Sequence, residues 1–212
     1  MSNTLDRFNW LAQRYDFLSR IVFGKALYQS QLYFLRSIPP GCTILIMGGG
    51  TGEMLRFLLA INPSCRVWYV EASGKMIFIA RKKIPKDDRY RVSFIHGTEK
   101  SLPDRIFFDI IVTNFFLDLY PDAGALNICK GLYQKLNKDA LWFVSDFVDG
   151  GKWWHRFMLW TMYRFFVLTC TIEGSKLPSW EKQLGSIGLV EMKFKLFYGR
   201  FIKSIVYKKV NK

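Results

Sequence analysis

Histidine is scarce in this 212-residue chain, with only His96 and His155 present. The four cysteines, Cys42, Cys65, Cys129 and Cys170, form no C-x-x-C pair. Together these shortages leave neither a zinc-type ligand set nor a disulfide framework, so the expectation is a reduced, cytoplasmic protein with no metal. Acidic residues are also few, 17 against 31 basic ones, for a formal charge of +14. Such a field draws nucleic acid, anionic lipid or an acidic partner, and its sign alone does not choose among them. No apolar run reaches the roughly 20 residues that a membrane span needs. The nearest candidate, 152–168, is interrupted by Lys152, His155, Arg156 and Arg164. The opening residues MSNTLDRFNW lack the charged-then-apolar order of a signal peptide. Repeats, linkers and low-complexity tracts are absent as well, while half of the residues are hydrophobic and 17% aromatic. One domain over 1–212 is expected, with a helical cap over 1–40 and an inserted aromatic helix over 150–177.

What is present is centred on Thr43–Glu53, TILIMGGGTGE. Ile44 to Met47 reads as a strand buried on both faces, stopped by a glycine turn and followed by a helix over Glu53–Ile61 that ends at Asn62-Pro63. Glycines here allow positive φ and let a ligand approach the free N–H groups of a helix start. The spacing is Gly48, Gly50, Gly52, with Glu53 where a dinucleotide fingerprint has its third glycine, and no Gly-Lys-Ser/Thr follows. That suits a cofactor without phosphates and with a cationic end. The second strand ends in Glu71, where a carboxylate takes two ribose hydroxyls; otherwise Glu71 is a solvent-facing strand end.

The turn, Glu71 and the continuation Ala72-Ser73-Gly74-Lys75-Met76 to Ala80-Arg81 resemble the class I S-adenosylmethionine (SAM)-dependent methyltransferases. Within that group the turn is similar to that of the ubiquinone/menaquinone biosynthesis C-methyltransferases. The resemblance implies SAM as cofactor, held by Gly48, Gly49, Gly50, Gly52 and Glu71 with Ala72 and Met76. The family's first-strand acid falls at Ile46, so its work on the methionine amino group passes to Glu53 or is not done. In the segment after the third strand, Thr98 stands where the family has the acid for the adenine amino group, with Glu99 beside it. Asn114 and Phe115, after the fourth strand, take the place of residues that wrap the methionine end. Phe8, Ala12, Tyr15 and Asp16 follow the spacing of the family's segment ahead of the core, and Tyr15 is otherwise a half-buried packing residue.

Strands over 91–96, 107–113 and 140–146 alternate with helices over 73–83 and 122–136, which implies a parallel sheet whose ligand edge gathers the glycine turn, Glu71, Thr98, Asn114 and Asp146. The fold expected is α/β, a Rossmann-like doubly wound seven-stranded sheet with a C-terminal antiparallel hairpin, N-terminal helices and an inserted helix after strand 5. Asp146 either lines the acceptor pocket or caps the helix that follows. No Asn-Pro-Pro-Tyr/Phe motif follows the fourth strand, which weighs against base methylation. Trp153, Phe157, Trp160 and Arg164 share one line of the inserted helix. They either cover the acceptor pocket or lie on a membrane or lipophilic acceptor.

The reading is a SAM-dependent methyltransferase acting by in-line transfer on a small aromatic or lipophilic acceptor. Asp118, His155 and Tyr15 are the candidates for orienting that acceptor or removing its proton. Two rivals stand beside it. One is a non-catalytic relative, suggested by Ile46 and Thr98; the other is an RNA methyltransferase, suggested by charge and aromatics. Oligomeric state stays open.

Overall fold

The computed structural model describes residues 22–169 and 177–210. Its seven-stranded sheet runs β3-β2-β1-β4-β5-β7-β6. The strands are β1 (Thr43–Met47), β2 (Arg66–Glu71), β3 (Val92–His96), β4 (Phe108–Asn114), β5 (Leu136–Phe147), β6 (Leu189–Phe197) and β7 (Ile202–Lys209). The first five are parallel to their neighbours, while β7 is antiparallel to both β5 and β6. The expected doubly wound sheet with its closing hairpin is therefore present. Parallel strands need crossovers, and five of them aligned put five C-terminal ends on one edge.

Helices α1 (Ala26–Leu32), α2 (Glu53–Ile61), α3 (Gly74–Lys83), α4 (Asp122–Gln134), α5 (Trp153–Thr169) and α6 (Trp180–Ser186) surround the sheet. Alternation along β1 shows why both faces are covered. Leu45 and Met47 join Ile128, Leu132, Trp142 and Leu184 in one core, and Ile44 and Ile46 join Leu55, Leu58, Tyr69 and Val112 in the other. A strand rotates successive side chains to opposite faces, so an unbroken apolar run demands two layers of helix. A third cluster gathers Phe23, Phe147, Phe201 and Ile202 with Trp154 and Met158 of α5.

Two element boundaries differ from expectation. The helix expected over Lys25–Arg36 stops at Leu32 and gives way to a 3-10 turn at Leu35–Ser37, although Gly24 does break the chain before it, at φ 55°. The stretch Asn137-Lys138-Asp139, between the helix expected over 122–136 and the strand expected over 140–146, lies inside β5. Leu136 already pairs with Phe108, and the Asn137 Nδ2 donates to Asp109 Oδ1 at 2.7 Å. Asp139 takes φ 58° within the strand beside a register shift. Polar residues at a bulge look like a loop in sequence because the partner that employs them is remote.

Candidate cofactor and acceptor site

The turn after β1 is wedged from three sides. A Cβ on Gly48 would meet Phe116 at 2.7 Å, one on Gly49 the Tyr69 ring at 2.2 Å and one on Gly52 Ala80 at 2.7 Å. Gly50 is the exception, with nothing within 4 Å. Gly48, Gly50 and Gly52 all have positive φ, at 61°, 66° and 82°. Glycine is thus required for conformation at three positions and for closeness at three, and the open face is at Gly50. Gly52 precedes α2 without a side-chain cap, which leaves that helix start facing the same edge.

Glu71 closes this edge. It is 8% exposed, and its two oxygens accept the Gly50 N–H at 2.9 Å and the Ser73 N–H at 2.8 Å. Burial pushes its carboxyl up; the backbone N–H groups of Ser73, Gly50 and Ala72 and the nearby His96 pull it back without cancelling the rise. Each carboxylate oxygen retains a second lone pair for a ligand hydroxyl. The reading of Glu71 as a solvent-facing strand end does not hold. Tyr69, fully buried, donates its hydroxyl to Gly50 O at 2.8 Å and braces the turn from below.

Of the other residues named from sequence, Ala72 offers its carbonyl to His96 Nε2 at 3.0 Å, and the Met76 N–H is bound by the Ser73 N-cap at 3.3 Å. Thr98 is exposed and caps a 3-10 turn at Glu99–Ser101, its hydroxyl accepting the Lys100 N–H at 3.4 Å. Glu53 pairs with Lys83 at 2.9 Å and Arg56 at 3.6 Å. Ile46 is 1% exposed within the core. Asn114 ends β4 with its amide on Met54 Sδ at 3.1 Å. Phe115 follows at φ 49°, a strained value for a non-glycine residue, with its ring 5.0 Å from Phe147.

At the ends of β4 and β5 lies a pair of buried acids. Asp118, in a 3-10 turn at Leu117–Leu119, is 7% exposed, and Asp146 is wholly buried. Asp146 accepts the Phe147 N–H at 2.8 Å; Asp118 Oδ1 and Asp146 Oδ2 have no donor among the described residues. Burial pushes Asp118 up to about 7, and burial together with the Asp118 charge pushes Asp146 well above its usual range. Two carboxylates in one dry site resist ionising together, which favours a protonated carboxyl there. Asp146 does not cap the following helix: it sits inside β5, and α5 begins only at Trp153. His155 is also wholly buried, its Nδ1 accepting the Gly150 N–H at 2.9 Å and its Nε2 without a partner among the described residues. Tyr15 lies outside the described residues.

Residues 45–140 match the family described as a methyltransferase domain. That match covers just under half of the chain and marks the stretch as similar to a methyltransferase domain. The malonyl-[acyl-carrier protein] O-methyltransferase of Priestia megaterium is 27% identical over 68% of this chain and 51% of its own length. The demethylmenaquinone methyltransferase of Lactococcus lactis subsp. lactis is 26% identical over 61% of this chain and 52% of its own. The chain spans about half the length of the curated relatives it matches. Among solved structures, a chain of the complex between the Haloferax volcanii Trm112 methyltransferase activator and a methyltransferase aligns with TM-score 0.74 at 15% identity, covering 99% of this chain and 98% of that one. That likeness establishes the fold.

The chain also carries a cavity of about 600 Å³ beyond the end of β5. Phe147, Arg156, Leu159, Trp160, Pro178 and Trp180 are among its walls, so it lies between α5 and α6. Trp180 Nε1 donates to Phe147 O at 3.0 Å and ties α6 to the strand end. Sequence reading singled out neither this cavity, nor Tyr69 beneath the turn, nor Asp118 and Asp146 as a pair. Only the acids had a usable signal, since adjacent parallel strands each led to one.

Proposed function

We propose that the chain transfers a methyl group from SAM to a small aromatic or lipophilic acceptor. The observation that carries this is the open face at Gly50 beside a buried Glu71 whose oxygens are already aligned by the Gly50 and Ser73 N–H groups. When bound, SAM supplies an electrophilic methyl on a sulfonium. Glu71 takes the ribose hydroxyls, Gly48 to Gly52 underlie the cofactor, Ala72, Met76 and Glu99 flank the adenine, and Asn114 and Phe115 face the methionine end. The donor set fits at the ribose. At the amino end it is thinner, because Ile46 is apolar and Glu53 is engaged by Lys83 and Arg56, so backbone carbonyls of the turn do that work.

In-line transfer asks the protein chiefly for alignment, and for a proton acceptor when the nucleophile carries a proton. Asp118, pushed up to about 7 by burial, is the residue suited to take a proton from an acceptor hydroxyl relayed to it. His155, with Nδ1 occupied by Gly150, orients rather than removes protons. The relatives' names carry a carrier-linked acid and a quinone precursor as acceptors. The cavity walls mix Phe147, Leu159, Trp160 and Trp180 with Asp149, Arg156, Glu181 and Lys182, which suits an aromatic acceptor carrying a polar group.

The test is isothermal titration with S-adenosylhomocysteine. Binding at about micromolar Kd is expected for the wild type, weakened at least ~100-fold in Glu71→Ala. Absence of heat at millimolar ligand would give the chain to the non-catalytic reading instead.

A further inference from the structure

Helix α5 is amphipathic the wrong way round for a helix facing water. Its inner side, Trp154, His155, Met158 and Leu159, packs toward Phe147, Phe201 and Ile202. Yet its outer line is aromatic too: Trp153 is 80% exposed, Phe157 53% and Trp160 56%. These residues recur at helical spacing, Phe157 and Trp160 stack at 6.2 Å, and Arg164 lies over the Trp160 ring at 5.6 Å. A contiguous aromatic patch exposed on a folded chain marks a contact surface. Its cations are Lys152, Arg156 and Arg164, and no carboxylate occurs between Asp149 and Glu173.

We infer that α5 docks the protein on an anionic lipid bilayer, with Trp153, Phe157 and Trp160 in the headgroup boundary and Lys152, Arg156 and Arg164 on lipid phosphates. Tryptophan and phenylalanine on one side with basic residues beside them is the composition of helices that lie in that boundary. The charge of +14 adds a long-range attraction to the same surface. No described helix is long and apolar enough to cross the bilayer, so the contact is peripheral. Arg156 and Trp160 also line the cavity, which places its rim at the lipid and gives a lipophilic acceptor a path that avoids water. That last step rests on the function proposed above; the docking itself does not. Stacked aromatics with arginine also suit single-stranded RNA. Lipid is favoured because Trp153, Phe157 and Trp160 follow one helix line with Lys152, Arg156 and Arg164 beside them and no carboxylate within that helix.

The experiment is vesicle flotation of the whole chain with phosphatidylcholine vesicles and with phosphatidylcholine–phosphatidylglycerol vesicles, paired with S-adenosylhomocysteine titration of the same samples. Wild type is expected to float with the anionic vesicles only and to be released by salt. Trp153→Ser/Phe157→Ser should weaken flotation by at least ~10-fold, and Lys152→Gln/Arg164→Gln should remove most of the salt-sensitive part, with cofactor binding unchanged in both. Flotation of the aromatic variant equal to wild type would overturn the inference. So would failure of wild type to float, or α5-dependent binding of a single-stranded oligoribonucleotide in place of vesicles. Vesicle binding without S-adenosylhomocysteine binding would uphold the docking and sink the methyltransferase function.

Discussion

The β1–β2 half of the ligand edge and the β4–β5 half are built on different scales. In the first, Gly50, Tyr69, Glu71 and Ser73 lie within one strand–helix–strand unit and are joined by hydrogen bonds of 2.8–2.9 Å. In the second, Asp118 meets Asp146, Trp180 reaches Phe147, and the Ser145 and Ser204 hydroxyls both donate to Ser30 O. The first half is knitted by these short-range bonds; the second keeps, among the described residues, buried polar atoms without a partner and a cavity. Under the proposed function the first half would be a locally built cofactor cradle and the second an acceptor site assembled from the later chain.

The comparison is broken most severely at Gly49. Gly49→Ala places a methyl 2.2 Å from a buried Tyr69 ring, and urea denaturation should show a loss of about 3 kcal/mol or more. A variant as stable as wild type would mean that the cradle is not rigid. The acid pair tests the other half. Asp118 rises from 3.8 to about 7 on folding, so the folded chain binds that proton more tightly than the unfolded chain does. Its contribution to stability is full below the unfolded value and is lost as pH rises through about 7. Asp118→Asn removes this dependence, so wild type should lose on the order of 2 kcal/mol more than the variant between about pH 5 and pH 8. Parallel pH–stability curves would separate the two acids. The smallest effect is at the α3 cap, where Ser73→Ala should cost about 1 kcal/mol in thermal melts and weaken cofactor binding only modestly, because Glu71 keeps the Ser73 backbone N–H. A large loss of cofactor affinity in that variant would show that the cap hydroxyl takes part in binding.

The short-range half was legible in the sequence. The apolar run before Gly48, the glycine spacing, Glu71 and the Ser73 cap each express a local demand of backbone geometry, and the structure meets all of them. Thr98 and Glu53, expected to serve the adenine and the methionine amino group, instead engage Lys100 and Lys83 with Arg56, partners set by how α2 and α3 pack. Asn137 and Asp139 fall between the expected helix and strand because their employment inside β5 depends on Asp109 across the sheet.

Sequence alone determined the layers of this protein, its order of strands and helices and the residues of its glycine turn, since these follow from hydrophobic periodicity and from where only glycine is tolerated. Tertiary structure decided the rest. It brought two acids from separate strand ends into one dry site, turned the aromatic line of α5 outward, and left a cavity between α5 and α6. The coupling of two acids, exposure and empty volume are properties of distances between remote segments, and no local pattern encodes them.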